Sequence, residues 1–506
     1  MKKLTLIDTA FLLGESRETP MHVGGINLFT LPLGANEQEF LHSLATKLRS
    51  DEELQPPFGD RLKMTKLGLA GPLYWEKDKS LDLDYHVRHS ALPKPGRYRE
   101  LFSLASRLHG TLLDRNRPLW EMHLIEGLQN RQFAIYSKNH HAAVDGARSM
   151  HLTQSMFSED KNARSQGSAL SLESQNRYRL KLEQLQEHSF SDQELRNVSE
   201  SLKEMFNTST QLFGSLKRFV DGWMGKGGAL ALPFRDVPQS SINTTVYGAR
   251  RFVAQSWPFA RVRTVGKALD GTFNDAVLAM CAGALRTYML NHSELPEKSL
   301  KAMVPVSLRE AGDIDSSNAV GAISADLATN IADPLKRFAT IQASMVAGKG
   351  LFKGMKPKEA ALMLQLLQAP GLLLMPLGLM SRFPPFSTVI SNVPGPRNTM
   401  YWDGARLDGI YPASIVAEGV ALNITLVSYD KNVDFGITAC RRSMPQVQRL
   451  IDYMEEALVE LEQAAGISTP KPAVKRKAAA KRKKKVSAKP KAEKKVAKKV
   501  VKKSSK

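Results

Sequence analysis

The positive charge of this chain is concentrated at its C-terminal end, and this limits the part that can fold around a core. The last 37 residues, 470–506, contain 18 Lys or Arg residues and one acidic residue, Glu493. A segment of mainly Lys, Ala, Pro and Val cannot bury enough apolar surface to offset the entropy of ordering it. We therefore predict that residues 467–506 form a disordered basic tail and that the folded body ends near residue 466.

Without this tail the chain is nearly balanced in charge, with 53 basic and 49 acidic residues before position 470. The formal net charge of +21 therefore does not mark the body as a nucleic-acid binder. The tail itself has three open roles. It could bind DNA non-specifically in a salt-dependent way, attract anionic lipid at about 1 kcal/mol per Lys, or act only as a solvated extension.

The body is long enough for more than one hydrophobic core, and its pattern divides it into three segments. Residues 1–157 alternate between strand and helix patterns and predict a mixed α/β half. Residues 158–246 are polar and rich in Ser and Gln, which predicts a partly helical crossover. Residues 247–466 return to a mixed α/β pattern and predict a second half.

Within these halves the pattern predicts particular elements. The predicted strands lie at 24–29, 133–137, 304–308 and 388–392, and a predicted hairpin turns at 430–432. The predicted helices begin at Asn36 and span 101–113, 146–157, 272–290 and 446–461.

Two features bear on metals and membranes. Cys281 and Cys440 lie far apart and neither belongs to a Cys-x-x-Cys pair, so we predict no zinc site. Residues 360–381 carry no charge and have the length of a membrane-spanning helix, about 20 residues. Two Pro and two Gly residues interrupt this stretch, so we expect two short apolar helices, either buried or lying on a bilayer.

The strongest chemical signal is the segment Asn139-His140-His141-Ala142-Ala143-Val144-Asp145-Gly146. A predicted strand leads almost directly into the two histidines, and a predicted helix follows, so His141 stands at the end of a rigid element. Histidine accepts a proton near neutral pH, and one such base is enough to activate an alcohol toward a thioester. The residues alone also allow ordinary buried or capping histidines, or a metal site without an obvious third ligand.

Signals for rival chemistries are missing from the sequence. It contains no Gly-x-Ser-x-Gly nucleophile elbow and no phosphate-binding Gly-Lys-Ser/Thr element. No Gly-x-Gly-x-x-Gly motif follows a predicted strand. Serine hydrolase, nucleotide-hydrolysing and dinucleotide-binding functions are therefore not favoured.

Four further segments accompany the histidine motif in order: Met-His-Val-Gly at 21–24, Pro-Leu-Trp-Glu at 118–121, Asn274-Asp275, and Ser-Asn-Val-Pro-Gly-Pro at 391–396. With them the chain, from about Leu4 to Leu461, resembles the bacterial wax ester synthase/acyl-CoA:diacylglycerol acyltransferase family. That family belongs to the wider superfamily of chloramphenicol acetyltransferase and condensation domains. The resemblance implies an α/β fold of two chloramphenicol-acetyltransferase-like (condensation-domain-like) halves with mixed sheets, joined by the crossover, with the active site in a channel between them.

The resemblance also implies roles for individual residues. His141 would be the general base, His140 would assist it or line the channel, and Asp145 would be mainly structural. Asn274 would stabilise the oxyanion, although the residues alone also allow Asn274-Asp275 to cap a helix. The expected substrate-binding positions are Gly146, Trp120, Asn392, Pro394 and Gly395. For Trp120 plain packing stays open, and for Pro394-Gly395 a plain turn.

The implied reaction transfers a long-chain acyl group from acyl-CoA to a fatty alcohol, giving a wax ester, or to diacylglycerol, giving triacylglycerol. Acyl-CoA is then a substrate, and no cofactor or metal is needed. The expected location is cytoplasmic, at the periphery of the inner membrane or of lipid inclusions. Two alternatives stay open: amine acylation of a carrier-bound substrate, and a non-catalytic lipid-inclusion coat protein tethered to DNA or anionic membrane by residues 470–506.

Overall fold

The structure is a computed structural model, and it describes most of the chain up to Ile467. The described residues are 2–50, 53–65, 68–144, 146–165, 168, 170–186, 210–307, 320–352, 363, 367, 370, 371, 374 and 377–467. The predicted tail, apart from Ile467, and most of the uncharged stretch at 360–381 lie outside them.

Fifteen strands are found in the described residues. They are β1 (Lys2–Lys3), β2 (His22–Thr30), β3 (Asp60–Thr65), β4 (Gly68–Lys77), β5 (Val87–Ala91), β6 (Trp120–Glu126), β7 (Gln132–His140), β8 (Arg250–Pro258), β9 (Lys301–Ser307), β10 (Val320–Asp326), β11 (Thr388–Pro394), β12 (Tyr401–Trp402), β13 (Ala405–Ala413), β14 (Leu422–Tyr429) and β15 (Asn432–Cys440).

Eleven α-helices are found in the same residues, and a single 3-10 turn at Val447–Arg449 precedes the last of them. The helices are α1 (Leu6–Gly14), α2 (Glu37–Leu48), α3 (Leu83–His86), α4 (Tyr98–His109), α5 (Gly146–Met156), α6 (Leu172–Gln186), α7 (Thr210–Trp223), α8 (Phe259–Ala268), α9 (Phe273–Asn291), α10 (Pro334–Gly350) and α11 (Leu450–Ala464).

The first large sheet has six strands in the order β12-β13-β2-β7-β6-β5. Strand β7 lies inside it and pairs antiparallel with β2 on one side and β6 on the other. The edge formed by β12 and β13 comes from residues 401–413, far along the chain. The predicted C-terminal half therefore completes the sheet of the N-terminal half.

The second large sheet has the order β10-β9-β11-β14-β15-β8 and is also mixed. Strand β11 runs parallel to β9 and β14, whereas the remaining neighbours are antiparallel. The predicted hairpin is confirmed as β14 and β15. Its turn includes Asp430 with a left-handed backbone, φ 48°, which Asp tolerates better than most residues.

Helix α9 is the centre of the second core. Its sequence is mostly small and apolar, and 13 of its 19 residues are buried, so it is surrounded on nearly every side. It packs against α8, α10 and α11. The predicted helix at 272–290 is thus confirmed, and it begins after a Thr272 cap.

Helix α4 lies between the two halves. It packs against β8 of the second sheet, and the backbone N–H of Phe252 donates to Ser106 Oγ at 2.8 Å. Its last residue, His109, is also held from the second half, because its ring Nε2 lies 3.1 Å from the carbonyl oxygen of Ser414. Polar contacts from one helix therefore help to fix the halves against each other.

Strand β13 joins the two sheets directly. The buried carboxylate of Asp434 on β15 accepts from the backbone N–H of Ile410 at 2.8 Å and from Ser256 Oγ at 2.6 Å. Burial raises the pKa of Asp434 to about 6, although both donors oppose that rise. Beside it, the backbone of Pro412 approaches Gly436 so closely that a Cβ at position 436 would overlap the Pro412 carbonyl oxygen.

Several predicted boundaries need correction. The helix predicted at 101–113 is α4 at Tyr98–His109, because Glu100 accepts from the N–H of Arg97 at its start and the chain at Gly110 packs against Gly248. The closing helix begins later than predicted, since Gln446 has a left-handed backbone and a 3-10 turn intervenes. Strand β7 runs three residues past the prediction and includes His140.

The described part of the crossover contains α6 and α7. The boundaries placed near 157, 246 and 466 stay predictions. Among the described helices, none combines the length and the hydropathy that crossing a membrane requires.

We expect Gly436→Ala to destabilise the protein by about 3 kcal/mol or more, because the added methyl group forces β13 away from β15. Gly214→Ala is the matched control, since Gly214 lies in α7 with open space around it and Ala favours a helix by up to about 1 kcal/mol. Urea unfolding of both variants measures the difference. Equal stability of Gly436→Ala and the parent would show that β13 does not need this close approach.

Candidate active site

The two histidines of the motif are held at the end of β7 by its neighbours on either side. The backbone N–H of His140 donates to the carbonyl oxygen of Leu119, and that of His141 donates to Met21, both at 2.9 Å. Successive N–H groups of a strand point in opposite directions, so each histidine bonds a different neighbour. Three segments noted in the sequence, at 21–24, 118–121 and 139–146, therefore meet here.

The chain turns sharply after His141. The carbonyl oxygen of His140 accepts from the N–H of Ala143 at 2.9 Å and of Val144 at 3.2 Å, and helix α5 begins at Gly146. Ala142, Ala143 and Val144 are all buried, which explains the small apolar residues in the motif. Asp145 lies outside the described residues, and its structural role stays a prediction.

His140 is fully buried and has a fixed orientation. Its Nδ1 accepts from the backbone N–H of Ala142 at 3.1 Å, so the ring proton belongs on Nε2. That Nε2 lies 3.5 Å from Glu15 Oε1. The proton of His140 is thus directed toward a buried carboxylate, and this ring is suited to support rather than to meet a substrate.

Glu15 is itself held in place. Its Oε2 accepts from two nitrogens of Arg115, at 3.1 Å and 2.9 Å, and its Oε1 accepts from the N–H of Met21 at 3.1 Å. Burial alone would raise the pKa of Glu15, but His140, Met21 and Arg115 together hold it below its ordinary value. The carboxylate is therefore ionised near neutral pH.

His141 differs from His140 because it is only partly buried. Its ring stacks on Phe11 with the centroids 4.1 Å apart and the planes 19° apart. Phe11 lies on α1, four residues before Glu15, so one helix and its C-terminal cap contact both histidines. The stacking fixes the plane of the His141 ring, and the residue as a whole is not fully buried.

A layer of buried polar side chains lies beside His140 on the α4 face of the sheet. His22 pairs with His140 across the strands, and its Nε2 donates to the carbonyl oxygen of His109 at 2.6 Å. His109 Nδ1 lies 2.9 Å from Tyr136 Oη. Burial lowers the pKa of His109 to about 3 and that of His22 well below its ordinary value, so both rings are neutral.

Lys138 and Glu121 form the charged part of this layer. Lys138 is fully buried, donates to the carbonyl oxygens of Leu108 and Thr111 at 3.1 Å and 2.9 Å, and lies 3.3 Å from Glu121 Oε2. Burial opposes the ionised form of Glu121, but His123, Lys138 and Arg88 lower its pKa to about 2. The network is two residues from His140 and supports the end of β7.

The second group of predicted residues meets in the other half. Thr272 caps α9, and Asp275 completes a capping box by accepting from Thr272 N at 2.8 Å. Asp275 is therefore a capping residue, while the Asn274 side chain takes no part in the cap. Asn392 Nδ2 donates instead to Asn274 Oδ1 at 2.8 Å.

Helix α5, which begins at Gly146 of the histidine motif, packs against β11, the strand that carries Asn392. The strand ends at Pro394, which is exposed. The N–H of Gly395 then donates to the carbonyl oxygen of Ser428 at 3.0 Å, and a Cβ at Gly395 would come within 2.7 Å of that oxygen. These contacts explain why a glycine stands at position 395. The substrate-binding roles of Gly395, Pro394 and Gly146 stay predictions.

Trp120 is buried and well packed. Its Nε1 donates to the carbonyl oxygen of Phe58 at 2.9 Å, and its ring stacks on His86 with the centroids 4.5 Å apart. This is the packing alternative that the sequence left open, and the substrate-binding role of Trp120 stays a prediction. Its backbone pairs with Asn139, so it also positions β7.

Sequence reasoning missed the residues that hold the two histidines from α1. Phe11, Glu15 and Arg115 carry no local motif, and Arg115 is 100 residues from Glu15. A signal was present in part, since Thr5 and Asp8 form a capping box that starts α1. It could have identified the helix, but not the partner of its C-terminal end.

Two solved structures show which class of protein has this fold. The first condensation domain of the CDA synthetase has a similar fold, with a TM-score of 0.52 at 15% identity over 92% of this chain and 96% of that one. The wax ester synthase/diacylglycerol acyltransferase from Marinobacter aquaeolei VT8 is more similar, with a TM-score of 0.72 at 39% identity over 92% of this chain and all of that one.

The chain belongs to the wax ester synthase/diacylglycerol acyltransferase family. The model of that family's catalytic domain matches residues 4–277, and the model of its C-terminal domain matches 316–462. The O-acyltransferase WSD of Acinetobacter baylyi is 39% identical over 90% of this chain and 96% of its own length. A candidate diacylglycerol O-acyltransferase of Mycobacterium tuberculosis is 43% identical over 91% of this chain and 98% of its own length.

These findings confirm the family, the α/β fold class with mixed sheets and the expectation of an acyltransferase. They do not favour the alternative of a non-catalytic coat protein.

We predict that Glu121→Gln weakens the protein most at neutral pH. A carboxyl whose folded pKa is about 2 contributes about 3 kcal/mol above pH 4.5, and this contribution is lost as the pH falls from 4.5 to 2. The parent should therefore lose stability more steeply than the variant over that range in urea unfolding.

Glu53→Gln provides the control for this measurement. Its partner Lys77 is exposed, and solvent screens the pair, so the change in the free energy of unfolding should be far smaller. If the free energies of unfolding of the parent and of Glu121→Gln fell in parallel between pH 4.5 and pH 2, the low pKa of Glu121 would be contradicted.

Proposed function

We propose that the protein is an O-acyltransferase that moves a long-chain acyl group from acyl-CoA to a fatty alcohol, to diacylglycerol or to both. The observation that carries the proposal is the contrast between the paired histidines. His140 is fully buried with its ring proton directed at Glu15, whereas His141 is partly exposed at the end of a central strand. The names of relatives that share 39–43% identity support the substrate classes.

His141 is the proposed general base, with His140, Glu15 and Phe11 holding it in place. It takes the proton from the acceptor hydroxyl while that oxygen forms a bond to the thioester carbonyl carbon. The carbonyl oxygen becomes negatively charged in the tetrahedral species. Collapse breaks the carbon–sulfur bond, the ester leaves, and the thiolate of coenzyme A takes the proton back from His141.

Asn274 is the proposed donor to the negatively charged oxygen. An amide N–H that strengthens its bond as charge develops lowers the barrier by about 3 kcal/mol. The contact of α5 with β11 supports a common site for His141 on one half and Asn274 on the other. Gly146, Trp120, Asn392, Pro394 and Gly395 are the proposed positions around the substrate, and no metal or cofactor takes part.

The same reasoning extends to the organisation of the chain. We propose that residues 1–157 and 247–466 form the two halves of the enzyme, and that 158–246 cross between them. Acylation of an amine on a carrier-bound substrate is less well supported, because the resemblance to condensation domains is limited to the fold.

We expect His141→Ala to abolish ester formation, because no other side chain then removes the hydroxyl proton. His140→Ala should reduce the rate less, since it only loosens the support of His141. Release of free thiol from palmitoyl-CoA in the presence of hexadecanol or diacylglycerol measures both rates, and circular dichroism checks the fold. A His141→Ala rate equal to that of the parent would rule out the base.

We further propose that the protein works at a lipid surface, at the periphery of the inner membrane or of lipid inclusions. Its support is an exposed group of large apolar side chains, here called the apolar patch: Val220, Trp223, Met224, Leu377 and Phe383. Residues 230–239 link the two segments that carry it, because Leu232 lies against Gly222 beside Trp223, and Phe234 donates its N–H to the carbonyl oxygen of Pro385 at 2.9 Å.

The charges around the apolar patch fit an anionic lipid surface. Lys217, Arg218, Lys226 and Arg382 are exposed in the same segments. The acidic residues of these segments are Asp221, which is partly buried, and Asp236, which is paired with Lys298 at 2.8 Å. An exposed Trp among cations is typical of a surface that enters the headgroup region of a bilayer. Residues 470–506 are proposed to add non-specific attraction to anionic lipid or to DNA.

We predict that Trp223→Ser/Met224→Ser reduces binding to vesicles of mixed zwitterionic and anionic phospholipid in co-sedimentation, at both low and high salt. Removal of the residues after Thr469 should reduce only the salt-sensitive part of the binding, because its contribution is electrostatic. Retardation of duplex DNA by the parent but not by the truncated chain would assign the tail to DNA.

Leu33→Ser is the matched control for the apolar patch, since Leu33 is fully exposed but lies outside it. Unchanged binding by the double variant would contradict the role of the patch. Full esterification by the truncated chain would show that catalysis does not need the tail.

A further inference from the structure

The hydrogen bond between Asn392 and Asn274 has a direction that matters for catalysis. Asn392 Nδ2 donates to Asn274 Oδ1, so the carbonyl end of the Asn274 amide faces Asn392. A primary amide has one donor end and one acceptor end, and only the donor end stabilises a negatively charged oxygen. With its oxygen bound to Asn392, the Nδ2 group of Asn274 is turned the other way.

We infer that Asn392 is a positioning residue that holds the Asn274 amide with its N–H group toward the oxyanion. This inference rests on the proposed function, because it takes Asn274 as the oxyanion donor. It adds a specific role for Asn392, which acts through Asn274 rather than on the reacting atoms.

Both partners of this bond stand on rigid elements. Asn274 is the second residue of α9, whose first turn is closed by the Thr272–Asp275 capping box and whose body is the centre of a core. Asn392 pairs with Leu426 within the parallel ladder of β11 and β14. The close approach of Gly395 to Ser428 fixes the strand just beyond it. The bond therefore joins two elements that cannot easily shift to compensate for its loss.

A second observation concerns the other end of the Asn392 amide, the Oδ1 atom. Asn392 Oδ1 is buried and has no hydrogen-bond partner within the described residues. An unpartnered buried acceptor costs about 1–3 kcal/mol, so the bond that Nδ2 donates to Asn274 offsets part of the cost of burying this amide.

Substitutions of similar shape separate donation from packing. Asn392→Asp keeps the shape and the acceptor oxygen but loses the donor, and its carboxylate would attract the N–H group of Asn274 away from the oxyanion. Asn392→Leu keeps a similar volume but has neither the donor N–H nor the acceptor oxygen. If Asn392 only filled space, both variants would be tolerated.

The test is a double-mutant cycle on the full-length protein, with kcat and KM measured by thiol release from palmitoyl-CoA with hexadecanol. We expect Asn274→Ala to lower kcat about 100-fold or more. Asn392→Leu should lower kcat about 10-fold and Asn392→Asp still further, with little change in KM. In the Asn274→Ala background, neither substitution at position 392 should lower kcat more than about threefold, because the residue it acts through is gone.

Equal losses in both backgrounds would overturn the inference and assign Asn392 a direct or structural role. A change in KM alone would overturn it as well and indicate plain substrate binding. Thermal unfolding of each variant shows whether a loss of kcat reflects a loss of fold. Failure of the proposed function looks different, since the parent itself would then release no thiol with any acceptor.

Discussion

The backbone bonds that Leu119 and Met21 accept from His140 and His141 are the constraint on which the site depends. They place the end of β7 between two neighbouring strands, so the histidines cannot move without disrupting the sheet. Around this fixed backbone, α1 and its C-terminal cap hold one ring with a carboxylate and the other with an aromatic face. Two adjacent residues of the same type thereby acquire different environments.

The buried polar layer behind His140 would be costly if any of its members lacked a partner. Here neutral His22 and His109 are paired with a carbonyl oxygen and a hydroxyl, and Lys138 has two carbonyl oxygens and a carboxylate. Because His109 also contacts Ser414, the layer extends to the second half. These hydrogen bonds offset part of the cost of burying the polar side chains.

Much of the local structure could be predicted from the sequence, because it depends on near neighbours. The strand before His140, the helix after Gly146, the capped α9 and the hairpin at Asp430 all follow from periodicity and caps. The return of β13 to the first sheet could not be predicted, since its register is set by residues almost 400 positions away. Glu15 was missed for the same reason, and the bond between Asn392 and Asn274 joins residues 118 positions apart.

In the proposed reaction the base and the oxyanion donor come from different halves of the fold, so the two halves must stay aligned. A base that moves a proton needs access to its substrate, and the partial exposure of His141 is consistent with that proposed role. A donor to a developing charge must instead be oriented before the charge appears, because reorientation during the reaction would cost part of the stabilisation. In the proposed arrangement, the bond from Asn392 sets the orientation of the Asn274 amide in advance. The contacts of α5 with β11 and of β13 with β15 hold the two sheets together, and we propose that this keeps base and donor on the same carbonyl group.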